Sequence, residues 1–287
     1  MWLFGKLFGV GPKSADDYAD RGYAYLCKGK FDRAIADCNE AIRLGPTFTP
    51  AYRIRGMAHQ EKGEADEAIA DYTEAIRLNP TSVGVYRIRG MAYCAKGESD
   101  KAIADYTEAI RLDPNNAEVY ADRALAYCSK GNFDKAATDL TEAIRLGPED
   151  AQARCGRGLA YLEMSECDKA IADCNEAIRL NPQLAAGYFC RGNAYFHSRK
   201  YDQAIRDYSE AIRLAPTLAG AYFNRGVAYY EKNKSDKAIA DLTKAIRLNS
   251  KDGQAYYWRG NAYQKQGDQA KAEADFAKAK ELGFEPE

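Results

Sequence analysis

Eight cysteines and two histidines are the residues of this chain best suited to bind a soft metal or form disulfides. Such metal sites need close spacings such as CxxC or HxxxH, and the sequence contains neither. His59 and His197 lie far apart in the sequence, and no secretory signal accompanies the cysteines. We therefore expect no metal, no cofactor and reduced thiols. The cysteines stand at positions 27, 38, 94, 128, 155, 167, 174 and 190.

Motifs of nucleophilic or phosphate chemistry are absent from the sequence, including GxxxxGK[ST], GxSxG and HExxH. Carboxylates are frequent, but they recur at a fixed period and on polar helix faces. Because no nucleophile stands in a pattern with a base, we expect no catalytic residues and no enzymatic activity.

Composition limits the classes of partner. Apolar residues make up 46% of the 287 residues and charged residues 29%, which is typical of a folded protein. The net charge of −1 disfavours nucleic acid as a partner. The longest apolar run, at the start, is far shorter than the ~20 residues that span a bilayer. Since the marks of a secretory signal are missing, the expected location is the cytoplasm.

Internal repetition is the strongest signal in the sequence. Prolines stand at 46, 80, 114, 148, 182 and 216, each thirty-four residues after the last, and each closes an AIRL block. Such a period predicts a solenoid, in which each unit buries its apolar face against its neighbours. The predicted organisation is an apolar segment at 1–14, eight repeats over 15–284 and a tail at 285–287. The repeats begin at 15, 49, 83, 117, 151, 185, 219 and 253.

Each repeat has the apolar spacing of two helices joined by a polar turn, as in AAGYFCRGNAYFHS followed by RKYDQAIRDYSEAIRLAP. Proline ends the second helix. Glycine occupies the turn in five repeats, as expected where φ is positive. Ser165, Arg199 and Asn233 take its place in repeats five to seven, so those turns should carry modest strain or adopt another geometry.

In the sixth repeat, Tyr188, Gly192, Tyr195, Ala204, Tyr208, Ala211 and Pro216 follow one recurring pattern of large and small residues. By this pattern the chain resembles the tetratricopeptide repeat family over nearly its whole length. The resemblance implies an all-α fold, a right-handed α-solenoid (superhelix) of antiparallel helix hairpins. Arg154 replaces an aromatic of the pattern, and Cys38 and Cys174 replace a core aromatic, so packing should be looser in repeats one and five.

One departure from the family pattern is systematic, because arginine replaces the usual leucine in every first helix and an aspartate recurs in every second helix. We predict Arg–Asp contacts below about 4 Å, within a repeat or across to the next, that serve packing or solubility. If exposed, each pair contributes only ~0.2–1 kcal/mol. The arginines are Arg21, Arg55, Arg89, Arg123, Arg157, Arg191, Arg225 and Arg259, and the aspartates are Asp37, Asp71, Asp105, Asp139, Asp173, Asp207, Asp241 and Asp275.

The resemblance also implies that first helices line a concave groove that holds an extended peptide or a partner's helix. The lining places of the first five repeats fall on Tyr23, Arg53, Met57, Arg87, Met91, Leu125 and Leu159. In the last three repeats they are mainly aromatic with asparagine between, which suits a binding hot spot but is also common in the family. The candidate peptide site comprises Phe189, Asn193, Phe196, Phe223, Asn224, Tyr230, Tyr257, Trp258 and Asn261, with Arg53 and Arg87.

One subclass of the family does not fit. Members that clamp a carboxylate use lysine and arginine beside asparagine, whereas the basic places here hold Phe189, Gln254 and Trp258. A carboxylate would be desolvated without a cationic partner, so a clamp of that type is disfavoured.

The predicted function is therefore a non-catalytic scaffold or adaptor for a protein or peptide partner with an apolar or aromatic segment. The alternatives are a structural, self-assembling protein or the regulatory subunit of a larger complex.

The first ten residues, MWLFGKLFGV, are the part of the chain that the repeats do not explain. Trp2, Phe4, Leu7 and Phe8 have three open roles: a cap on the first hairpin, docking in an apolar groove or on a partner including a second copy, and weak membrane contact. The last repeat supplies its own polar cap, Glu273 and Lys280, at places that are apolar in the others. Because the first repeat shows no such polar cap, the capping role is favoured.

Overall fold

A computed structural model describes residues 13–285 of the chain. These residues form sixteen α-helices and no strand, which confirms the all-α prediction. The segment that contains Trp2, Phe4, Leu7 and Phe8 lies outside the described residues. The helices are α1 (Ala15–Leu26), α2 (Phe31–Leu44), α3 (Thr49–Glu61), α4 (Ala65–Leu78), α5 (Val83–Ala95), α6 (Ser99–Leu112), α7 (Ala117–Ser129), α8 (Phe133–Leu146), α9 (Ala151–Glu163), α10 (Cys167–Leu180), α11 (Ala185–His197), α12 (Tyr201–Leu214), α13 (Ala219–Glu231), α14 (Ser235–Leu248), α15 (Gly253–Gln266) and α16 (Gln269–Glu281).

The helices form two compact units, α1–α8 up to Leu146 and α9–α16 from Gly147. In each unit the two helices of a repeat pack against each other, and each hairpin packs against the next one in that unit. The helix pairs therefore follow the repeats predicted from the sequence.

The core of a repeat pairs a small residue in the first helix with a large one in the second. In the third repeat the ring of Tyr106 lies where a side chain on Gly90 would otherwise extend. Ala102, one turn before Tyr106, is also fully buried. In the fourth repeat the corresponding pair of small and large residues is Ala124 and Leu140, and both are buried. The volumes are therefore balanced pair by pair, as close packing requires.

The turns between paired helices adopt the left-handed conformation predicted from their glycines. Gly63 has a φ of 79°, and the three residues that replace glycine have positive φ as well: 62° at Ser165, 56° at Arg199 and 55° at Asn233. Asparagine tolerates this conformation better than serine or arginine. The predicted strain is therefore present and is greatest at the first two of these turns.

Replacing Arg199 by glycine should raise the free energy of unfolding by about 1 kcal/mol, because glycine adopts a positive φ without a Cβ clash. Asn233→Gly should give a smaller gain. Urea unfolding followed by circular dichroism measures both. Lys200→Gly is the matched control, because Lys200 has a φ of −86°, and it should not stabilise the protein. If the Arg199→Gly variant is no more stable than the parent, the positive φ at Arg199 does not strain the turn.

Both ends of the described chain are polar or covered. At the far end Glu273 and Lys280 are exposed, as predicted, and the ring of Phe284 packs 5.3 Å from that of Tyr257. At the near end Ser14 and Asp17 form a capping box for α1. No helix in the described range could cross a bilayer.

The expectation that the first repeat lacks polar capping was wrong. Asp17 stands where the other repeats have a small residue that is buried: Ala51, Val85, Val119, Ala153, Gly187, Ala221 and Ala255. Asp16 and Asp20 on the same helix are exposed. The outer face of α1 therefore carries polar residues, while the capping role predicted for the first ten residues falls on a segment outside the described residues.

Candidate functional site

The repeated arginines and aspartates form eight ion pairs within repeats, which confirms the predicted contacts. In a representative pair, Arg123 donates from Nε and Nη2 to the two carboxylate oxygens of Asp139, at 2.7 and 2.8 Å. Arg123 Nη1 donates to Thr107 Oγ1 in the preceding repeat at 3.0 Å. Hydrogen bonding to the aspartate raises the pKa of this guanidinium further. The Arg123–Asp139 pair therefore joins both helices of its repeat and also contacts the preceding repeat.

These pairs are more buried than the sequence analysis assumed. The eight aspartates are only 5–8% exposed, and a tyrosine ring flanks most of the arginines, as Tyr86 and Tyr93 flank Arg89, each 5.8 Å from the guanidinium carbon. Because both oxygens of each carboxylate are occupied, the pairs are structural rather than ligand-binding.

The candidate site is a cavity of about 560 Å³ in the second unit. This volume lies within the range of ligand pockets in proteins. Three of the predicted site residues, Asn193, Phe196 and Asn224, line it together with Tyr208. First helices α11 and α13 supply the amides, and α12 supplies the tyrosine. The repeat architecture thus places polar and aromatic groups from adjacent hairpins around one space.

A hydrogen-bond network fixes the polar side of this cavity. The oxygen Asn193 Oδ1 accepts from Tyr208 Oη at 2.9 Å and from Asn224 Nδ2 at 2.8 Å. Burial raises the pKa of Tyr208, so its hydroxyl stays protonated as a donor. Within the described part of the chain, no hydrogen bond uses Asn193 Nδ2 or Asn224 Oδ1. One donor group and one acceptor are thus available to a ligand.

The other predicted site residues of the second unit are not among the residues that line this cavity. The Phe189 ring packs against Tyr208, with centroids 6.0 Å apart. Phe223, Tyr230 and Trp258 are partly buried against the core of Ala238, Leu242 and Ala262. Tyr257 packs on Phe276 and Phe284, and Asn261 is half-buried.

Tyr230 also carries a cation on its face. Lys265 Nζ lies 3.6 Å from the ring centroid and donates to Asn233 Oδ1 at 3.1 Å. Trp258 meets the same ring edge to face, with centroids 5.3 Å apart. These rings are therefore largely engaged in packing within the protein.

Arg53 and Arg87, the cationic residues of the predicted site, lie in the first unit. Arg87 pairs with Glu118 and, through Nε at 2.6 Å, with Asp122. Arg53 Nη1 lies 3.7 Å from Met57 Sδ. The Arg87 charge is thus compensated within the protein.

Sequence reasoning missed the cavity residues that come from the fifth repeat: Leu162, Glu163, Ser165 and Cys167. They lie at the end of α9, in the following turn and at the start of α10. The signal that could have located them is Ser165, a serine at a left-handed turn where most repeats have glycine.

A second cavity, of about 490 Å³, lies in the first unit. Leu26, Phe31, Met57, Ile88 and Met91 give it an apolar lining. Its polar lining includes Gln60 and the exposed Glu61, and Gln60 Oε1 accepts from Tyr72 Oη at 3.0 Å.

The cysteines are free thiols, as expected. Burial raises the pKa of Cys38 to about 12. Hydrogen bonding to Cys155 and Cys174, together with burial, raises the pKa of Cys190. These groups stay protonated and are poor nucleophiles. Cys38 and Cys174 are fully buried at the place where three other repeats have tyrosine, two have leucine and one has phenylalanine.

Comparisons of sequence cover most of residues 18–282. A family model described as "TPR repeat" matches residues 90–128, 192–233 and 228–267. Models described as "Tetratricopeptide repeat" match residues 121–185, 50–82, 18–48 and 253–282. No curated protein sequence matches the chain.

Solved structures with a similar fold include a tetratricopeptide repeat protein from Parabacteroides merdae, 21% identical with a TM-score of 0.70, over 88% of this chain and 99% of that one. MamA is 30% identical with a TM-score of 0.51, over 57% of this chain and 96% of its own. YrrB, described as a TPR protein with an unusual peptide-binding site, is 24% identical with a TM-score of 0.50, over 64% and 95%.

Proposed function

Because the chain belongs to the tetratricopeptide repeat family, we propose that it is a non-catalytic scaffold whose second unit binds an apolar or aromatic peptide segment of a partner protein. Proteins of this family generally mediate protein–protein interaction. The observation that carries the proposal is the cavity where Asn193 and Asn224 stand beside Phe196.

The chemistry of this cavity suits a peptide. A peptide group offers one N–H donor and one C=O acceptor, and the asparagine pair offers the complementary acceptor and donor. Phe196 supplies aromatic contact area for an apolar side chain. An amide pair held in place by Tyr208 loses little freedom on binding, which favours affinity.

The charge of the lining limits the kind of peptide. Glu163 contributes a carboxylate, and neither lysine nor arginine is among the residues that line the cavity. An acidic segment would bring like charge to this carboxylate, and His197 is the one basic side chain that the described lining offers to offset its desolvation. The proposed ligand is therefore a neutral or basic segment with at least one large apolar side chain.

Replacing Asn224 by alanine should weaken peptide binding roughly tenfold, about 1.4 kcal/mol, because one backbone hydrogen bond is lost. The ligand is selected from a displayed library of random peptides with the full chain as bait, and its dissociation constant is measured by titration calorimetry. Asn193→Ala should also weaken binding, but it removes the acceptor of the buried Tyr208 hydroxyl, so Asn224→Ala is the cleaner variant.

Gln152→Ala is the matched control, because this amide is exposed at the start of α9 and does not line the cavity. It should leave the dissociation constant unchanged. Selection of acidic peptides, or equal affinity for the parent and Asn224→Ala, would refute the proposed site.

A further inference from the structure

The first helices of the first unit share an exposed apolar stripe. Tyr23, Met91 and Leu125 stand at one repeat position and are 47%, 41% and 66% exposed. Met57 takes this position in α3 and is half-buried. In the second unit the position is polar or covered in three of four repeats, with Asn193, Val227 and Asn261. A stripe of this kind marks a surface that binds something apolar.

The stripe is continuous with the apolar cavity of the first unit, because Met57 and Met91 belong to both. Methionine side chains are flexible and polarisable, so they adapt to rings of different shape. Glu61 places a carboxylate in the lining of an otherwise mainly apolar space. The surface therefore suits an apolar segment that carries a positive charge.

Residues 1–12 of the same chain have this composition. Trp2, Leu3, Phe4, Leu7 and Phe8 are large and apolar, and Lys6 is the one charged residue among the twelve. The outer face of α1, at the near end of the repeats, carries three carboxylates, Asp16, Asp17 and Asp20, and the first and last of them are exposed. An apolar segment placed on this face would desolvate them.

The reach of the segment is sufficient. It joins α1 at Lys13, and the cavity begins at Leu26 at the other end of this helix. Twelve helical residues span about 18 Å, whereas twelve extended residues span up to about 40 Å. The short connection also gives the segment a millimolar effective concentration at the surface, so weak contacts suffice.

We propose that residues 1–12 bind to the apolar stripe and cavity of the first unit in the same molecule, with aromatic side chains against Met57 and Met91 and Lys6 near Glu61. The segment is then an internal ligand of this surface. The proposal does not rest on the peptide site of the second unit, since the two cavities share no residue.

Tryptophan fluorescence tests the proposal in the full chain. Trp2 and Trp258 are the two tryptophans, so Trp258→Phe leaves Trp2 as the single probe. We expect blue-shifted emission and weak acrylamide quenching for Trp2 in the folded protein. Adding Met91→Glu should shift the emission to the solvent-exposed value and raise the quenching constant severalfold, because it places a charge in the apolar cavity.

Leu159→Glu in the Trp258→Phe background is the matched control. Leu159 occupies the same repeat position in the second unit and is 40% exposed, close to the 41% of Met91. The control should leave Trp2 emission unchanged, and circular dichroism should show both variants folded. Because Met91 is exposed, Met91→Glu should not disturb the core.

Three results would overturn the proposal. If Trp2 emits at the solvent-exposed value in the Trp258→Phe protein that still has Met91, the segment is not bound. Buried emission that does not respond to Met91→Glu would place the segment elsewhere. Buried emission that is lost on dilution would assign the surface to a second copy of the chain.

Discussion

Replacing Asp105 by alanine is expected to lower the free energy of unfolding by about 3 kcal/mol, since it breaks a buried ion pair and leaves one partner behind. Asp105 is 5% exposed, and its two oxygens accept from Arg89 Nε and Nη2 at 2.8 and 2.7 Å. Without the carboxylate, Arg89 keeps its hydrogen bond to Thr73 Oγ1 at 3.0 Å but has lost its counter-charge.

The flanking rings increase this cost. The Arg89 side chain is 15% exposed and lies between Tyr86 and Tyr93, so water cannot readily replace the lost carboxylate. Asp105→Asn should cost less than Asp105→Ala, because the amide oxygen still accepts one hydrogen bond from the guanidinium.

Glu108→Ala provides the control on the same helix. Glu108 pairs with Arg111 at 2.6 Å, but the two side chains are 34% and 66% exposed, so this pair should contribute less than about 0.5 kcal/mol. Urea unfolding of the three variants gives the comparison. If Asp105→Ala and Glu108→Ala destabilise the protein equally, the buried pairs are not the structural links described above.

The Arg–Asp pairs could be predicted from the sequence because an arginine and an aspartate recur together in all eight repeats. The aspartate always follows the arginine by sixteen residues, and a helix hairpin allows few arrangements of two opposite charges at that spacing. The ends of the second helices and the left-handed turns were predictable for the same reason, since proline and glycine recur at fixed places.

The aromatic groove was less predictable, because repeat position does not decide which neighbour covers a side chain. Trp258 and Asn224 both occupy lining places, yet the Trp258 ring packs on Tyr230, whereas Asn224 lines a cavity. The neighbouring rings, Phe196 and Tyr230, occupy one repeat position and are both large. The difference therefore lies in the size of the side chain that faces them, since Asn224 is short and Trp258 is large. That is a property of packing in three dimensions, which the pattern of a single repeat does not encode.

The polar first helix was missed for another reason. Asp17 serves the N-terminus of its own helix as a capping residue, and it also replaces a small residue that other repeats bury. A repeat pattern consists of the residues that recur, whereas Asp17 is an aspartate that does not recur at its repeat position.

Replacing Gly90 by alanine is expected to lower the free energy of unfolding by about 2 kcal/mol, although alanine is the better helix former by ~1 kcal/mol. A Cβ at this position would lie 2.6 Å from Tyr106 Cε1, a distance that forces the ring to move. Tyr106 is 2% exposed and has little space in which to move, so overpacking outweighs the gain in helix propensity. Gly84→Ala on the same helix is the control, because no atom lies within 4 Å of its Cβ, and it should be neutral or stabilise by about 0.5 kcal/mol.

The fourth repeat indicates how the Gly90→Ala defect can be relieved. It builds the same contact with Ala124 and Leu140, which are 0% and 5% exposed. Gly90→Ala combined with Tyr106→Leu should therefore cost less than the sum of the two single changes, since the smaller side chain leaves room for the added methyl group. Thermal and urea unfolding of the two single variants and the double variant measure this coupling. Additive losses would show that the glycine is required by the helix backbone rather than by the ring packed against it.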